Sequence, residues 1–385
     1  MALPDELLEE IFLRLPAAAD LARASAACVS FRRVIAGHPF LRRFRILHPP
    51  PLLGILCGRL FPAQPPHPSA AAAATYADAD FSCPFLPSSP GRWCRRDVRD
   101  GRALFSPRLR EGSDPFNSMY NPRDLVKEFA VCDPLHRRYL LLPALPDHLA
   151  DQVQQPDILE CEPFLAPPGV DDEHPSFRDF RVMCLVRCTA KLVLFVFSSC
   201  AGRWLADPVT FDMFGCGASH RYYAHGCFCW QVCYEDDAEM LLVLDARRME
   251  FSVVDLPPPS GPYMRRVATV EAGEGRLGML TIDRSKRGAH RLLYAVQSSK
   301  DGNGTNQWQS KPAIPLPENY RYCIRGVAGG HLLLTGRPEN NRAIVDYFSL
   351  DLQTLQVEWF YQTGDYVIIG DLYADLPPSL SPPTL

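Results

Sequence analysis

Near the start of the chain, apolar and polar positions alternate at a helical period. Leu7, Leu8, Ile11, Phe12 and Leu15 fall at i, i+1, i+4, i+5 and i+8 and so share one stripe, while Glu9, Glu10 and Arg14 take the other side. Pro4 sits where a helix entry tolerates proline, Asp5 and Glu6 face the positive end of the dipole, and Pro16 stops the run. The pattern predicts a helix of about three turns. After a short alanine loop, Asp20 is placed to cap a second helix carrying Leu21, Ala24, Cys28 and Val29. "FRRVI" and "FLRRFRIL" continue the helical, basic character to Leu47. So small a unit cannot bury all its apolar faces against itself. Its stripe either packs on the domain that follows or enters a groove of another molecule.

The pattern then changes. From His48 to Pro90 the chain is rich in proline and alanine, which reads as a linker with edge strands. Beyond Trp93 come short apolar or alternating runs separated by turn residues, among them "EFAVCD", "KLVLFVF", "EMLLVLD" and "HLLLTG". Three strand-turn-strand units share one shape: "FAVCDPLHRRYLLLP", "LLVLDARRMEFSVVDLP" and "FSLDLQTLQVEWF". In each, the first strand ends at an aspartate, whose carboxylate can accept from backbone amides two residues on and so fix the turn. These aspartates, Asp133, Asp245 and Asp351, lie 112 and 106 residues apart, which halves to a period of about 53 to 56. A repeat of that length with about four strands is the signature of a propeller blade.

The predicted fold is therefore mainly β with a small N-terminal α-helical unit, the β part being a propeller of about six blades, within roughly five to eight. A two-sheet β-sandwich is the alternative. The expected boundaries are a helical domain at 1–47, a linker at 48–98, the β domain at 99–365 and a proline-rich tail at 366–385.

Composition adds exclusions. Forty basic against 44 acidic side chains leave no dominant basic field for nucleic acid. The longest clear apolar run, "LVLFVF" at Leu192 to Phe197, is far short of a membrane span, and no signal peptide is read at the start, so the expectation is an intracellular chain, cytoplasmic or nuclear. Fourteen cysteines without framework spacing then read as thiols rather than disulfides.

The densest candidate for chemistry is "CGASHRYYAHGCFCWQVC", with Cys216, His220, His225, Cys227, Cys229 and Cys233. Zinc sites favour ligand pairs on turns, whereas Cys227, Cys229 and Cys233 sit at odd positions of one strand, so a packed strand is expected and no metal. "CLVRC" at Cys184 and Cys188 reads the same way. The pairs Asp171-Asp172 and Asp236-Asp237 have loop character, and "GEGRLG" at Gly273 to Gly278 leads into a strand rather than a helix. Neither a phosphate loop nor a nucleophile elbow is present, so no catalytic residue and no cofactor are assigned.

"LPDELLEEIFLRLP", followed by "DLARASAACVSFRRVI" and "HPFLRRF", resembles an F-box over about residues 3 to 44. The resemblance implies docking on a Skp-type adaptor and, through it, a cullin scaffold bearing the ubiquitin-transfer machinery. Matched position by position, it places Leu3, Pro4, Leu7, Leu8, Ile11, Leu15, Pro16 and Leu21 among the adaptor-contacting or F-box core residues. Where the family commonly has tryptophan near its third helix, this chain has Phe31. "CDPLHRRYLLLP" is similar to phrases of the F-box-associated propellers common in plants. The function implied is a non-enzymatic substrate receptor of an SCF-type ubiquitin ligase, its β domain binding an unknown target protein. The alternatives are an F-box scaffold or decoy that delivers no substrate, and a propeller hydrolase or lyase.

Overall fold

The computed structural model describes residues 3–76, 78–87, 92–107, 125–154, 157–168, 179–213, 217–233, 239–256, 266–283, 290–298, 308–364, 366–376 and 378–385. Four helices come first: α1 (Asp5–Leu13), α2 (Ala18–Ala27), α3 (Val29–Ile35) and α4 (His38–Leu47). A hairpin of β1 (Leu52–Cys57) and β2 (Arg59–Pro62) and the short α5 (Ala70–Ala74) follow. One sheet holds β3 (Trp93–Arg99), β4 (Arg102–Pro107), β5 (Ala130–Asp133) and β6 (Arg138–Leu141) in that order. After α6 (Asp147–Ala150), a second holds β7 (Ile158–Ala166), β8 (Arg181–Cys188), β9 (Lys191–Ser198), β10 (Arg203–Trp204) and β11 (Val209–Asp212), the last two both on β9. Three four-stranded sheets in chain order complete the run. They are β12 (Gly217–Ala224) to β13 (Cys227–Cys233), β14 (Glu239–Asp245) and β15 (Glu250–Asp255); β16 (Val267–Ala272) to β17 (Arg276–Asp283), β18 (Arg291–Gln297) and β19 (Trp308–Pro315); and β20 (Tyr320–Ala328) to β21 (His331–Pro338), β22 (Val345–Asp351) and β23 (Val357–Thr363). Finally β24 (Asp371–Ala374) joins β1, giving a sheet ordered β2-β1-β24.

The six sheets are the blades of a six-bladed β-propeller behind a small helical segment, the mainly β fold read from the sequence; the two-sheet sandwich is not what the chain adopts. The passage read as a linker contributes β1, β2 and the start of the β3 blade, and the passage read as a tail contributes β24. The reason is local: "LLGILC" is buried along nearly its whole length, so it needs a ladder on both sides. One of those ladders comes from the far end of the chain.

Two compact units divide the residues, the first made of Met1–Pro62, Ala71–Phe214 and Tyr373–Leu385, the second of Ala63–Ala70 and Gly215–Leu372. In the first, one apolar cluster runs from Leu104 and Val131 through Ile158 and Val182 to Phe195 and Trp204, so the β3 and β7 blades share a core. Asp97 accepts from the Leu165 amide at 2.8 Å across them. In the second, Tyr222, Val270, Leu280, Ile324, Leu334 and Phe348 belong to one cluster spanning all three sheets.

The aspartate turns recur as expected. Asp245 Oδ1 accepts from the amides of Arg247 and Arg248 at 2.8 and 3.0 Å, and Asp351 Oδ1 from those of Gln353 and Thr354 at 2.7 and 2.8 Å. Asp133 reaches the third residue on, the His136 amide, at 3.0 Å. Each turn closes on a left-handed residue four places after its aspartate: Arg137, Met249 and Leu355, with φ of 52°, 58° and 57°.

Asp133 has a second role. Its other oxygen accepts from the Thr384 amide and hydroxyl at 2.8 and 3.0 Å, while Arg102 donates to the Thr384 carbonyl at 3.0 Å. Burial would raise the Asp133 pKa, but the amides of Thr384 and His136 outweigh it and hold the carboxyl below its ordinary value. The end of the first unit is thereby pinned to a blade. Closer to the helices, Asp375 is fully enclosed, pairs with Arg45 of α4 at 3.2 Å and accepts from the Tyr373 hydroxyl at 3.2 Å.

Candidate functional site

The helical segment is organised by which side of α1 each residue occupies. Pro4 precedes the helix in an extended conformation, its carbonyl accepting from Leu7 and Leu8, and Asp5 and Glu6 lie in the first turn. Leu8, Phe12 and Leu13 turn inward onto Leu21, Val34, Ile35, Phe40, Leu41 and Phe44. Phe12 meets Phe31 and Phe40 edge-on at 5.2 and 6.4 Å between centroids, so Phe31 supplies the aromatic contact expected of its position. Leu376 and Leu380, from the far end of the chain, complete this core.

Asp20 does not cap α2. That helix begins earlier, at Ala18, and Asp20 lies in its first turn, paired with Arg23. Nor does α2 run through Val29, because Cys28 is extended (φ −157°, ψ 161°) and its Sγ accepts from the Phe31 amide at 3.4 Å to start α3.

The eight residues singled out by the F-box resemblance fall into two sets. Leu8 (5% exposed) and Leu21 (0%) are core, and Leu15 packs against that core while half-buried. Leu3, Pro4, Leu7, Ile11 and Pro16 are exposed. Leu7 and Ile11, spaced i, i+4, share one row on α1 and are 47 and 45% exposed, while Leu3, 51% exposed, lies just before the helix. Val29, at the head of α3 and 82% exposed, is a fourth large apolar side chain left in water, and the sequence reading assigned it only to a helix. Its signal is the Cys28 break, which turns α3 so that its first residue has nothing to pack on.

Charges on the same helices are paired. Arg33 bonds Asp5 at 2.9 Å, and Arg43 bridges Glu9 at 3.2 Å and Glu10 at 2.7 Å, tying α3 and α4 to α1 through partners remote in sequence. The arrangement sets apolar side chains left in water beside several ion pairs. Such a surface can dock; it offers no nucleophile or base.

The cysteine- and histidine-rich stretch lies mainly on β12 and β13. Cys229 is buried beside Leu241 and Val243, with Cys227 at the edge of that cluster, and burial pushes both thiols up. Phe228 and Trp230 are the alternate positions, packed at 6.3 Å between centroids. His225 sits in the β12–β13 turn with Nε2 2.8 Å from the Ala272 carbonyl oxygen. Cys216 and the Cys233 side chain lie outside the described residues; among those described, no group of three or more ligating side chains could hold a metal. Cys184 and Cys188 are buried on β8, Cys184 with its sulfur 3.3 Å from that of Cys161, and both are free thiols. Asp171-Asp172 and Asp236-Asp237 lie outside the described residues. No helix among the described residues is long and apolar enough to cross a membrane.

A family model described as F-box-like matches residues 1–46, the four helices almost to their end. No curated protein matches the chain. Similar solved structures include the NanB sialidase from Streptococcus pneumoniae, 11% identical over 55% of this chain and 32% of that one, with a TM-score of 0.33. Others are a PL25 ulvan lyase, 10% identical over 69% of this chain and 68% of that one (TM-score 0.39), and the intramolecular trans-sialidase from Ruminococcus gnavus, 13% identical over 60% and 51% (TM-score 0.35). This chain spans about a third of the NanB sialidase and about half of the trans-sialidase.

Proposed function

We propose that this chain is a non-catalytic substrate receptor of an SCF-type ubiquitin ligase. Its α1 row docks a Skp-type adaptor, the adaptor joins a cullin, and the β domain, of the F-box-associated kind, holds the protein to be modified. The observation that carries this reading is the exposed apolar surface: Leu7 and Ile11 on α1, Leu3 just before it and Val29 at the head of α3 stand in water on a segment whose sequence matches an F-box-like family. A large apolar side chain fully buried from water contributes about 1.5–3 kcal/mol, so covering the exposed half of each of these residues would contribute about half of that, a share of the docking energy to which the surrounding helix surface must add. The receptor's place of work is then the cytoplasm or nucleus, where its ligase partners act.

Within the first unit the docking helices are held firmly, by Leu376 and Leu380 in their core and by the Arg45–Asp375 pair. The test is affinity purification of the tagged full chain from proteasome-inhibited cells. Adaptor and cullin should co-purify with the wild type and disappear with Leu7→Asp/Ile11→Asp, while the remaining partners persist. Absence of adaptor and cullin from the wild type would refute the reading.

A further inference from the structure

The second unit repeats a device on the first strand of two of its three sheets. An arginine stands five residues before the turn glycine at Arg221 (Gly226) and Arg325 (Gly330), and the first unit has the same spacing at Arg96 (Gly101). Around these positions the pairing slips: the register shifts between Ala218 and Arg221, between Ile324 and Gly326, and between Arg95 and Asp97. A bulge of this kind re-aims a side chain. The re-aimed residues are His220, Arg325 and Arg96, and the two arginines are fixed alike, Arg325 donating through Nε to Thr335 Oγ1 at 3.0 Å and Arg96 to Ser106 Oγ at 2.6 Å.

Within the second unit these strands converge. β12, β16 and β20 each end their sheet and touch one another. They bring together His220 on β12, Arg266 at the head of β16 and Arg325 on β20. His220 and Arg266 are exposed, Arg325 half-buried. Among the described residues no carboxylate pairs with Arg266 or Arg325, in a chain whose net charge is −4. Protein atoms gathered around the His220 imidazole, although its surface remains open to solvent, together with the fields of Arg266 and Arg325, hold it below its ordinary pKa. Like charges gathered without a counter-charge repel, and a doubly charged oxyanion among them removes that repulsion.

We propose that the second unit carries a binding site for a phosphate monoester, formed by His220, Arg266 and Arg325. Two guanidinium groups and an imidazole match the charge of about −1.5 to −2 and the three acceptor oxygens of such a group better than a single carboxylate. The phosphate can be carried by a protein side chain or by a small molecule. The site does not depend on the adaptor reading and fails or stands separately from it.

The test is calorimetric titration of the full-length protein at low salt with phenyl phosphate, inorganic phosphate, a phosphoserine peptide and benzenesulfonate. One saturable phosphate site per chain is expected, weakened at least about tenfold by Arg266→Gln, with the singly charged sulfonate binding more weakly. A marked preference for the phosphopeptide assigns the carrier to a protein, and equal binding of the free phosphates assigns it to a small molecule. Arg325 also holds its bulge, so Arg325→Gln is read beside its unfolding midpoint, and the exposed Arg266 decides. Absence of saturable binding, unchanged binding in Arg266→Gln, or sulfonate binding as tight as phosphate would overturn the proposal.

Discussion

On the helices, several ionic side chains pair with one another while large apolar ones are left in water; on the converging strands of the second unit it is the reverse. Asp5, Glu9 and Glu10 are bonded by Arg33 and Arg43, yet Leu7, Ile11 and Val29 face water. In the second unit, Tyr222, Val270 and Ile324 are buried in one cluster, yet Arg266 and Arg325 lack carboxylates among the described residues. Folding satisfies whatever its own elements can reach, and what remains shows the chemistry of the expected partner. An apolar row suits a protein helix, and a cationic cluster suits an oxyanion.

The comparison is sharpest within α1, where neighbouring residues belong to different sides. Leu8→Asp places an unpaired carboxylate in the helical core and should cost about 4 kcal/mol or more, read as loss of the cooperative unfolding of the first unit. Leu7→Asp, one residue away, should change stability by less than about 1 kcal/mol. Next in size is Asp375→Ala, which breaks the pair with Arg45 and removes the acceptor of the Tyr373 hydroxyl at a buried position, and should cost about 3 kcal/mol by denaturant unfolding. If that variant were as stable as the wild type, the helices would not be anchored through the far end of the chain.

Asp133→Asn sets the pinned turn against the two free-standing ones. Because the native Asp133 carboxyl titrates below its ordinary value, the unfolded chain binds more protons as the pH falls below about 4, and stability drops there. The wild type should exceed the variant in unfolding free energy above that pH, and the two should converge as the pH falls through the native pKa. Parallel curves would contradict the assignment. The smallest effect belongs to the second unit. Leu355→Gly relieves a left-handed residue worth about 1–2 kcal/mol at an entropic cost of about 0.5–1, for a net gain near 0.5 kcal/mol in thermal unfolding.

Legibility in the sequence followed the range of the interaction. The α1 stripe, the aspartate turns and the blade period are all local patterns, and they were readable because helix and strand periods repeat within a few residues. The division of the stripe was not readable: Leu7 and Leu8 are identical side chains, and only the placement of α3, α4 and Leu376 decides which one is covered. The blade built on β1 lies in the passage read as a linker, since one of its strands comes from more than 300 residues away. Asp133 looked like Asp245 and Asp351, and its bond to Thr384 spans 251 residues. The cationic cluster was hidden for the same reason, because His220, Arg266 and Arg325 occupy three different repeats.

The most direct measurement is titration of a purified Skp-type adaptor into three forms of the full-length protein, with unfolding followed on the same samples. The wild type should bind; Leu7→Asp/Ile11→Asp should lose at least about a hundredfold in affinity at nearly unchanged unfolding free energy. Leu8→Ala should show the opposite, losing about 2–5 kcal/mol of stability while the remaining folded fraction still binds. Wild-type affinity in the Leu7→Asp/Ile11→Asp protein, or a loss of affinity matched by an equal loss of stability, would contradict the claim that the exposed half of the stripe is a docking surface.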